Sequence, residues 1–451
     1  MWFGLLMATA LMFSGIALSP FDRDESQWIY TSRFLSLLRQ GDFGSSEWNS
    51  YWAHTQPPLA RYAIGSSLKI AGFDLMKVNG PWDFTKESSQ NIEEGNMPSA
   101  DTLFWARLPG ALAASGAIVL LFLIGRQVGG TVAGAAAALW LAANPRAREI
   151  MTRAEADGLL ICLLLLGVLL ALKTAALWEQ VQDKALSRRR LLLPLIALGV
   201  AFGLAAATKL TGAVGIGAFG LALLLDTGMR RIHKRFVGPG GNIARWQAQV
   251  AAACVMFAGC GTVALLVFVL LNPALYTRPL ASSLDLFTFR QQEMQVQMGL
   301  YPSAAIGSTV DRLKLGLVRP LSTYSVSAGL GRAIAGKVGQ EWGEALPVDV
   351  PLSIAGAGVT LAGLILAHAG TTRKRGKTAW KYTSMVSNHT PSSAGLGAGG
   401  FALVWTLVYY ISICLNMGLD WDRYTLPLVV LSALWVGVGI AAIIRAASGV
   451  L

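Results

Sequence analysis

The chain has 451 residues, 54% of them hydrophobic and only 14% charged, with a mean hydropathy of +0.51, which is too apolar for a soluble protein. A net charge of +12 and a pI near 9.7 would suit nucleic acid if the bases lined one soluble face. They cluster instead in short segments between apolar runs, as membrane topology signals do, so the chain is an all-α polytopic membrane protein with no nucleic-acid partner.

A transmembrane helix needs about 20 apolar residues. The pattern predicts about ten spans, near residues 1–18, 103–125, 131–146, 156–177, 191–208, 211–226, 248–272, 351–369, 400–416 and 424–445. The first run ends in Ala17-Leu18-Ser19, a passable cleavage site, but no basic segment precedes it, and a retained first span is expected.

A long polar connection, residues 19–102, follows that span. It carries eleven acids against seven bases and opens with Asp22-Arg23-Asp24-Glu25. Residues 26–39 place Trp28, Ile29, Phe34, Leu35 and Leu38 at helical spacing, which predicts a helix lying along the interface. His54-Thr55-Gln56-Pro57-Pro58-Leu59-Ala60-Arg61 comes next, and its prolines predict the start of a second helix over 59–71.

Arg153-Ala154-Glu155-Ala156-Asp157 opens the fourth span, and Lys209 to Gly212 forms a tight hairpin between the fifth and sixth. Asn272-Pro273-Ala274-Leu275-Tyr276 closes the seventh, with a helix-stopping proline and an interfacial tyrosine. A second long connection, 273–350, includes the polar run Gln291, Gln292, Glu293 and Gln295, which reads either as helix surface or as a substrate contact. A basic loop and Gly/Ser-rich linker cover 370–399, and Asp420-Trp421-Asp422-Arg423-Tyr424 leads into the last span. The whole of 1–451 reads as one transmembrane domain with no separate soluble unit.

Charge orients these spans. Lys173, Lys184 and Arg188-Arg189-Arg190 fall in one connection, Arg230, Arg231, Lys234, Arg235 and Arg245 in a second, and Arg373, Lys374, Arg375, Lys377 and Lys381 in a third. The positive-inside rule puts all three in the cytoplasm, with both termini, and 19–102 and 273–350 outside. The Asn388-His389-Thr390 sequon then lies on the inner side. The cysteines, Cys162, Cys254, Cys260 and Cys414, lie within apolar segments and indicate neither disulfides nor a thiolate metal site.

On this topology Asp24, Asp157, Lys209 and Arg423, from four separate connections, face the same side of the membrane. Arg and Lys at a membrane rim can hold the phosphate of an anionic, lipid-linked substrate. A carboxylate can act as base toward an incoming hydroxyl. The bland reading of Asp24-Glu25 is that the pair ends the first span and caps the helix after it. His54 reads either as a hydrogen-bonded loop residue or as a metal ligand with Glu25 as partner. No HExxH, GxxxxGK[ST] or CxxC pattern is present.

These residues resemble the GT-C class of membrane glycosyltransferases, in particular the protein O-mannosyltransferases and aminoarabinose lipid A transferases. The resemblance lies in Asp24-Glu25 with its aromatic-rich helix, His54 through Arg61, Arg107-Leu108-Pro109, Asp157, Ala207-Thr208-Lys209-Leu210-Thr211-Gly212, Asn272-Pro273 and Arg423-Tyr424-Thr425-Leu426-Pro427. It implies inverting transfer of a sugar from a polyprenyl-phosphate donor to a protein hydroxyl, lipid or glycan acceptor, on the outer face of a bacterial membrane or the lumenal face of the endoplasmic reticulum. In that scheme Asp24 is the catalytic carboxylate, with Glu25 beside it and Asp157 as the second acid. Lys209 and Arg423 bind the lipid phosphate, with Arg61 and His54 as helpers. A divalent metal on Glu25 and His54 is the one cofactor the scheme leaves room for. The chain ends soon after its last span, without the outer soluble domain of aminoarabinose transferases and oligosaccharyltransferases, and the 273–350 connection is too short for the β-trefoil insert of eukaryotic protein mannosyltransferases, so the resemblance implies a compact prokaryotic relative. A lipid-linked sugar transporter or flippase is the competing reading, kept open by the glycine-rich run 199–220.

Overall fold

A 44-residue run, Ala100–Ala143, is helical throughout except at Gly130, whose φ of 85° lies in the left-handed region that favours glycine. A Cβ built on Gly125 would sit 2.8 Å from the Cα of Gly134. Residues nine apart on a straight helix are separated by about 13 Å. The run therefore doubles back at Gly130, and its two limbs match the expected spans 103–125 and 131–146.

The computed structural model describes residues 2–182, 187–237, 243–320, 351–358, 361–362 and 395–448, and most of these described residues are helical. The first span is α1 (Trp2–Phe13) and α2 (Gly15–Leu18). The first outer connection holds α3 (Arg23–Tyr30), α4 (Phe34–Gln40), α5 (Tyr51–Thr55), α6 (Leu59–Ile70) and α7 (Ser88–Glu93). The hairpin run is α8 (Ala100–Ala143), followed by α9 (Pro145–Thr152), α10 (Asp157–Gln182), α11 (Leu192–Thr208), α12 (Val214–Val237) and α13 (Ile243–Leu270). The second outer connection contributes α14 (Pro279–Leu300) and α15 (Thr309–Val318), and the last two helices are α16 (Gly397–Asn416) and α17 (Asp422–Ala447). Among the described residues there is no strand, only an isolated bridge between Ala305 and Leu419.

Seven of these segments are long and apolar enough to cross a membrane, or eight if the bent pair Trp2–Leu18 and Arg23–Gln40 is one span. The protein is a multi-pass membrane protein. That tally takes Ala100–Ala143 as one segment although it doubles back, and the expected span 351–369 is described only at 351–358 and 361–362, so the expected ten spans are not reached among the described residues. Most of the basic loop and linker at 370–399, the sequon included, also lies outside them.

Small residues draw the spans together. Gly437 of α17 faces the carbonyl of Ala133 with no room for a side chain, an approach typical of helices packed in lipid. The main core runs through Met12, Phe122, Leu141, Phe202, Phe219 and Tyr409. A second, smaller core of Ile29, Phe34, Trp48, Tyr62 and Leu68 joins α3, α4, α5 and α6 into a cap. The segment Arg23–Gln40 turns 92° from Trp2–Leu18, as an interfacial helix would. A short 3₁₀ turn, Thr31–Arg33, divides it into two helices.

The hairpin makes a test. Gly134→Val drives a side chain into the carbonyl of Phe122, and overpacking of this kind costs about 1–3 kcal/mol. Its detergent melting temperature should fall clearly below that of Gly217→Ala, whose Cβ meets nothing within 4 Å.

Candidate active site

Consecutive residues on a helix point about 100° apart, and this separates the fates of Asp24 and Glu25. Asp22 caps α3, and Glu25, three residues on, completes a capping box by accepting the Asp22 N–H at 3.0 Å. Glu25 is fully buried, and the guanidinium of Arg107 from α8 donates to it through Nε at 2.7 Å and Nη2 at 2.6 Å. Its Oε1 also accepts the backbone N–H of Ala154 at 2.8 Å. Arg107 donates further to the carbonyls of Ser19 at 2.7 Å and Pro20 at 2.9 Å, where the first span ends.

Both oxygens of Glu25 are thus engaged, and it does not line the cleft beside it. This corrects its expected place as a catalytic carboxylate or metal ligand: it is a buried clamp. His54 likewise lies outside the cleft lining, its Nδ1 3.0 Å from the carbonyl of Ser50 and its ring beside Phe289. It is a loop-architecture residue, the blander of the two readings. Among the described residues no group of three or more His, Cys, Asp or Glu side chains is placed to hold a metal ion. Glu25 and His54 do not fit as a ligand pair.

Asp24 faces the other way, into a cleft of about 1280 Å³. Asp157, Lys209, Arg423 and Arg61 line the same cleft, so five of the seven expected site residues meet there. The first four sit where helices start or stop. Asp24 and Arg423 lie in the first turns of α3 and α17, Asp157 begins α10, and Lys209 is an extended residue after α11. Arg423 pairs with Asp24 across 399 residues of sequence. Lys209 Nζ lies 2.9 Å from Asp157 Oδ1.

Arg61 differs from the other two cations. Its side chain is buried and stacks 5.2 Å from the ring of Trp28 and 5.3 Å from that of Phe34. It donates to the carbonyl of Gln56 and to the hydroxyl of Thr55, and among the described residues no carboxylate pairs with it. Burial without a counter-ion pulls its pKa down to about 9.

Several cleft residues escaped the sequence reading. Glu155, in the extended turn before α10, is buried and reaches Arg423 at 3.5 Å. Burial pushes its carboxyl up to about 8; Arg423 opposes the shift, and Asp24, Asp157 and Asp22 add to it. Gly110 and Gly158 let this turn approach α8 closely: a Cβ on Gly110 would meet the carbonyl of Arg153 at 2.8 Å. On the opposite wall, Arg290, Glu293, Gln297 and Tyr301 line the cleft at helical spacing along and just beyond α14. Tyr51 donates to Glu293 at 2.6 Å and joins the two outer connections, and this bond together with burial raises the Tyr51 pKa. The only hint in sequence was the polar run 291–295. Trp421 and Tyr424 stack at 5.9 Å beside Arg423 and add an aromatic wall.

Residues 99–244 match the family described as dolichyl-phosphate-mannose-protein mannosyltransferase. No curated protein matches the chain. Among solved structures, the oligosaccharyltransferase of Archaeoglobus fulgidus in its apo form is similar with a TM-score of 0.50 and 13% identity, over 99% of this chain and 51% of that one. The same enzyme in complex with Zn and sulfate matches at a TM-score of 0.50 and 12% identity, over 99% and 50%. ArnT from Cupriavidus metallidurans bound to undecaprenyl phosphate matches at 0.48 and 16%, over 97% and 59%. The chain therefore spans about half the length of the archaeal enzyme, and the likeness is one of fold.

The buried clamp can be tested directly. Arg107→Ala strands the Glu25 carboxylate among buried groups, and breaking such a pair costs about 3–5 kcal/mol. A large drop in thermal stability in detergent is expected; Arg107→Ala with an unchanged melt would rule the clamp out.

Proposed function

We propose that the protein is a membrane glycosyltransferase that moves a sugar from a polyprenyl-phosphate donor to an acceptor hydroxyl on a protein, lipid or glycan, with inversion at the anomeric carbon. The observation that carries this reading is the meeting of Asp24, Arg423, Asp157 and Lys209 in one large cleft at the helix ends. Two further features support it: the GT-C fold, and a family match whose described members use a phosphate-linked lipid sugar. A transporter would place its functional charges at mid-membrane, whereas these four lie at helix termini.

In this mechanism the lipid phosphate sits against Lys209 and Arg423, with Arg61 as a third cation that no carboxylate pairs with among the described residues. As the bond from the anomeric carbon to the phosphate oxygen breaks, positive charge grows on the sugar and negative charge on the phosphate. Cations fixed in place stabilise that leaving group. The acceptor oxygen bonds to the anomeric carbon from the opposite face, and its proton passes to Asp24. In the resting cleft Arg423 is paired with Asp24; an incoming phosphate competes for Arg423 and leaves an Asp24 oxygen open to the acceptor. Asp157 keeps Lys209 aimed at the cleft. The aromatic wall of Trp421 and Tyr424 offers a stacking face for a sugar. The polar stripe of α14 stands where the acceptor would enter.

In this reading the site faces outward from a bacterial plasma membrane with both termini in the cytoplasm; the distribution of basic segments supports that orientation. Purified protein supplied with a radiolabelled polyprenyl-phosphate sugar should transfer it. Asp24→Asn should lower turnover by about 10²–10⁴-fold with no change in expression or melting temperature. Turnover by Asp24→Asn equal to wild type sinks the assignment. Lys209→Ala should reduce affinity for the polyprenyl-phosphate donor, read as a rise in KM.

A further inference from the structure

Three carboxylates, Asp24, Glu155 and Asp157, line the cleft beside three cations, Arg423, Lys209 and Arg61. Arg423 is shared by Asp24 and Glu155, Lys209 contacts Asp157, and Arg61 donates to Gln56 and Thr55. Arg153 lies 3.9 Å from Glu155 but is held more closely by Asp22 at 2.6 Å and Glu149 at 2.6 Å. An ionised Glu155 therefore competes with an anionic phosphate for Arg423.

Geometry identifies the acid that is least compensated. Asp24 is in direct contact with Arg423, and Asp157 holds Lys209 at 2.9 Å. Glu155 has a side chain only 2% exposed, reaches Arg423 at 3.5 Å and Arg153 at 3.9 Å, and its Oε1 has no hydrogen-bond partner. The groups facing it are Asp22 and Asp24 from the start of α3, Arg153 and Asp157 from its own connection, and Arg423 from α17. Glu25 lies beneath the same turn through its bond from the Ala154 N–H. Three of these neighbours are acids already engaged with cations, so a proton added to the group settles on Glu155.

We propose that Glu155 is a positioning residue whose neutral carboxyl leaves Arg423 available to the donor phosphate, and whose ionised carboxylate draws Arg423 away. This deepens the transferase reading and rests on it. Glu155 does not touch the reacting atoms. It acts through Arg423, which it shares with Asp24. The proton comes from and returns to solvent, so no co-reactant is needed. Burial places the switch near pH 8, and the sign follows: below that pH the carboxyl is neutral and the anion binds well, and above it the added negative charge weakens binding.

The test uses the full chain in lipid nanodiscs with sugar-free polyprenyl phosphate as probe. Binding is followed from about pH 7 to about pH 8.5, a range that spans the Glu155 pKa, stays below that of Arg61, and in which a phosphomonoester has already lost its second proton. Wild-type Kd should rise toward about tenfold per pH unit above the Glu155 pKa. Glu155→Gln, neutral at every pH, should hold the affinity that wild type shows at the low end and lose that slope. Glu155→Asp should keep a slope, moved along the pH axis, which separates loss of the proton site from loss of fold. Equal slopes in wild type and Glu155→Gln overturn the proposal and leave the transferase reading standing, as does a flat wild-type curve. No binding by wild type at any pH overturns both.

Discussion

The buried pair of Glu25 and Arg107 is the contact on which the arrangement of the site depends. A charge with no solvent and no partner is strongly unfavourable. Arg107 meets that constraint with a bidentate fork on Glu25 and two backbone carbonyls at the end of the first span. The fork leaves α3 one orientation relative to α8. Because neighbouring helical positions diverge by about 100°, fixing Glu25 inward directs Asp24 into the cleft. The same carboxylate holds the Ala154 N–H, so the turn bearing Glu155 and Asp157 is referenced to the same point.

Around that anchor the cleft is assembled from chain ends rather than from helix middles. Lys209 and Asp157 stand where α11 stops and α10 starts, and Arg423 stands in the first turn of α17. The second outer connection is tied to the segment before α17 by backbone bonds from Ile306 to Gly418 and from Asp420 to Ala304, both 2.8 Å. A site made this way has rigid spans behind it and adjustable connections in front, which suits a large lipid donor and a separate acceptor.

Much of the scaffold was legible in sequence. The apolar runs marked the spans because a bilayer leaves a backbone no partner but itself. The break at 126–130 was visible as a gap between two runs, although only the conformation of Gly130 shows that one helical stretch folds back on itself. Asp24, Asp157, Lys209, Arg423 and Arg61 were recognisable as charges out of place beside a membrane, and they share one cleft. Glu25 was indistinguishable from Asp24 on paper, since adjacency in sequence says nothing about which of two carboxylates faces a core. Glu155 was hidden in the same way, one of three charges within five residues.

Sequence by itself determined the class of protein and most of its membrane segments, because hydropathy is a property of local runs. Tertiary structure alone decided the partners: that Asp24 meets Arg423 from the far end of the chain, that Glu25 is consumed by Arg107, and that Glu155 is buried and shares Arg423 with Asp24. Those outcomes turn on burial and on distances of a few ångströms between segments remote in sequence, and pair energies between charges change severalfold over such distances and with loss of solvent.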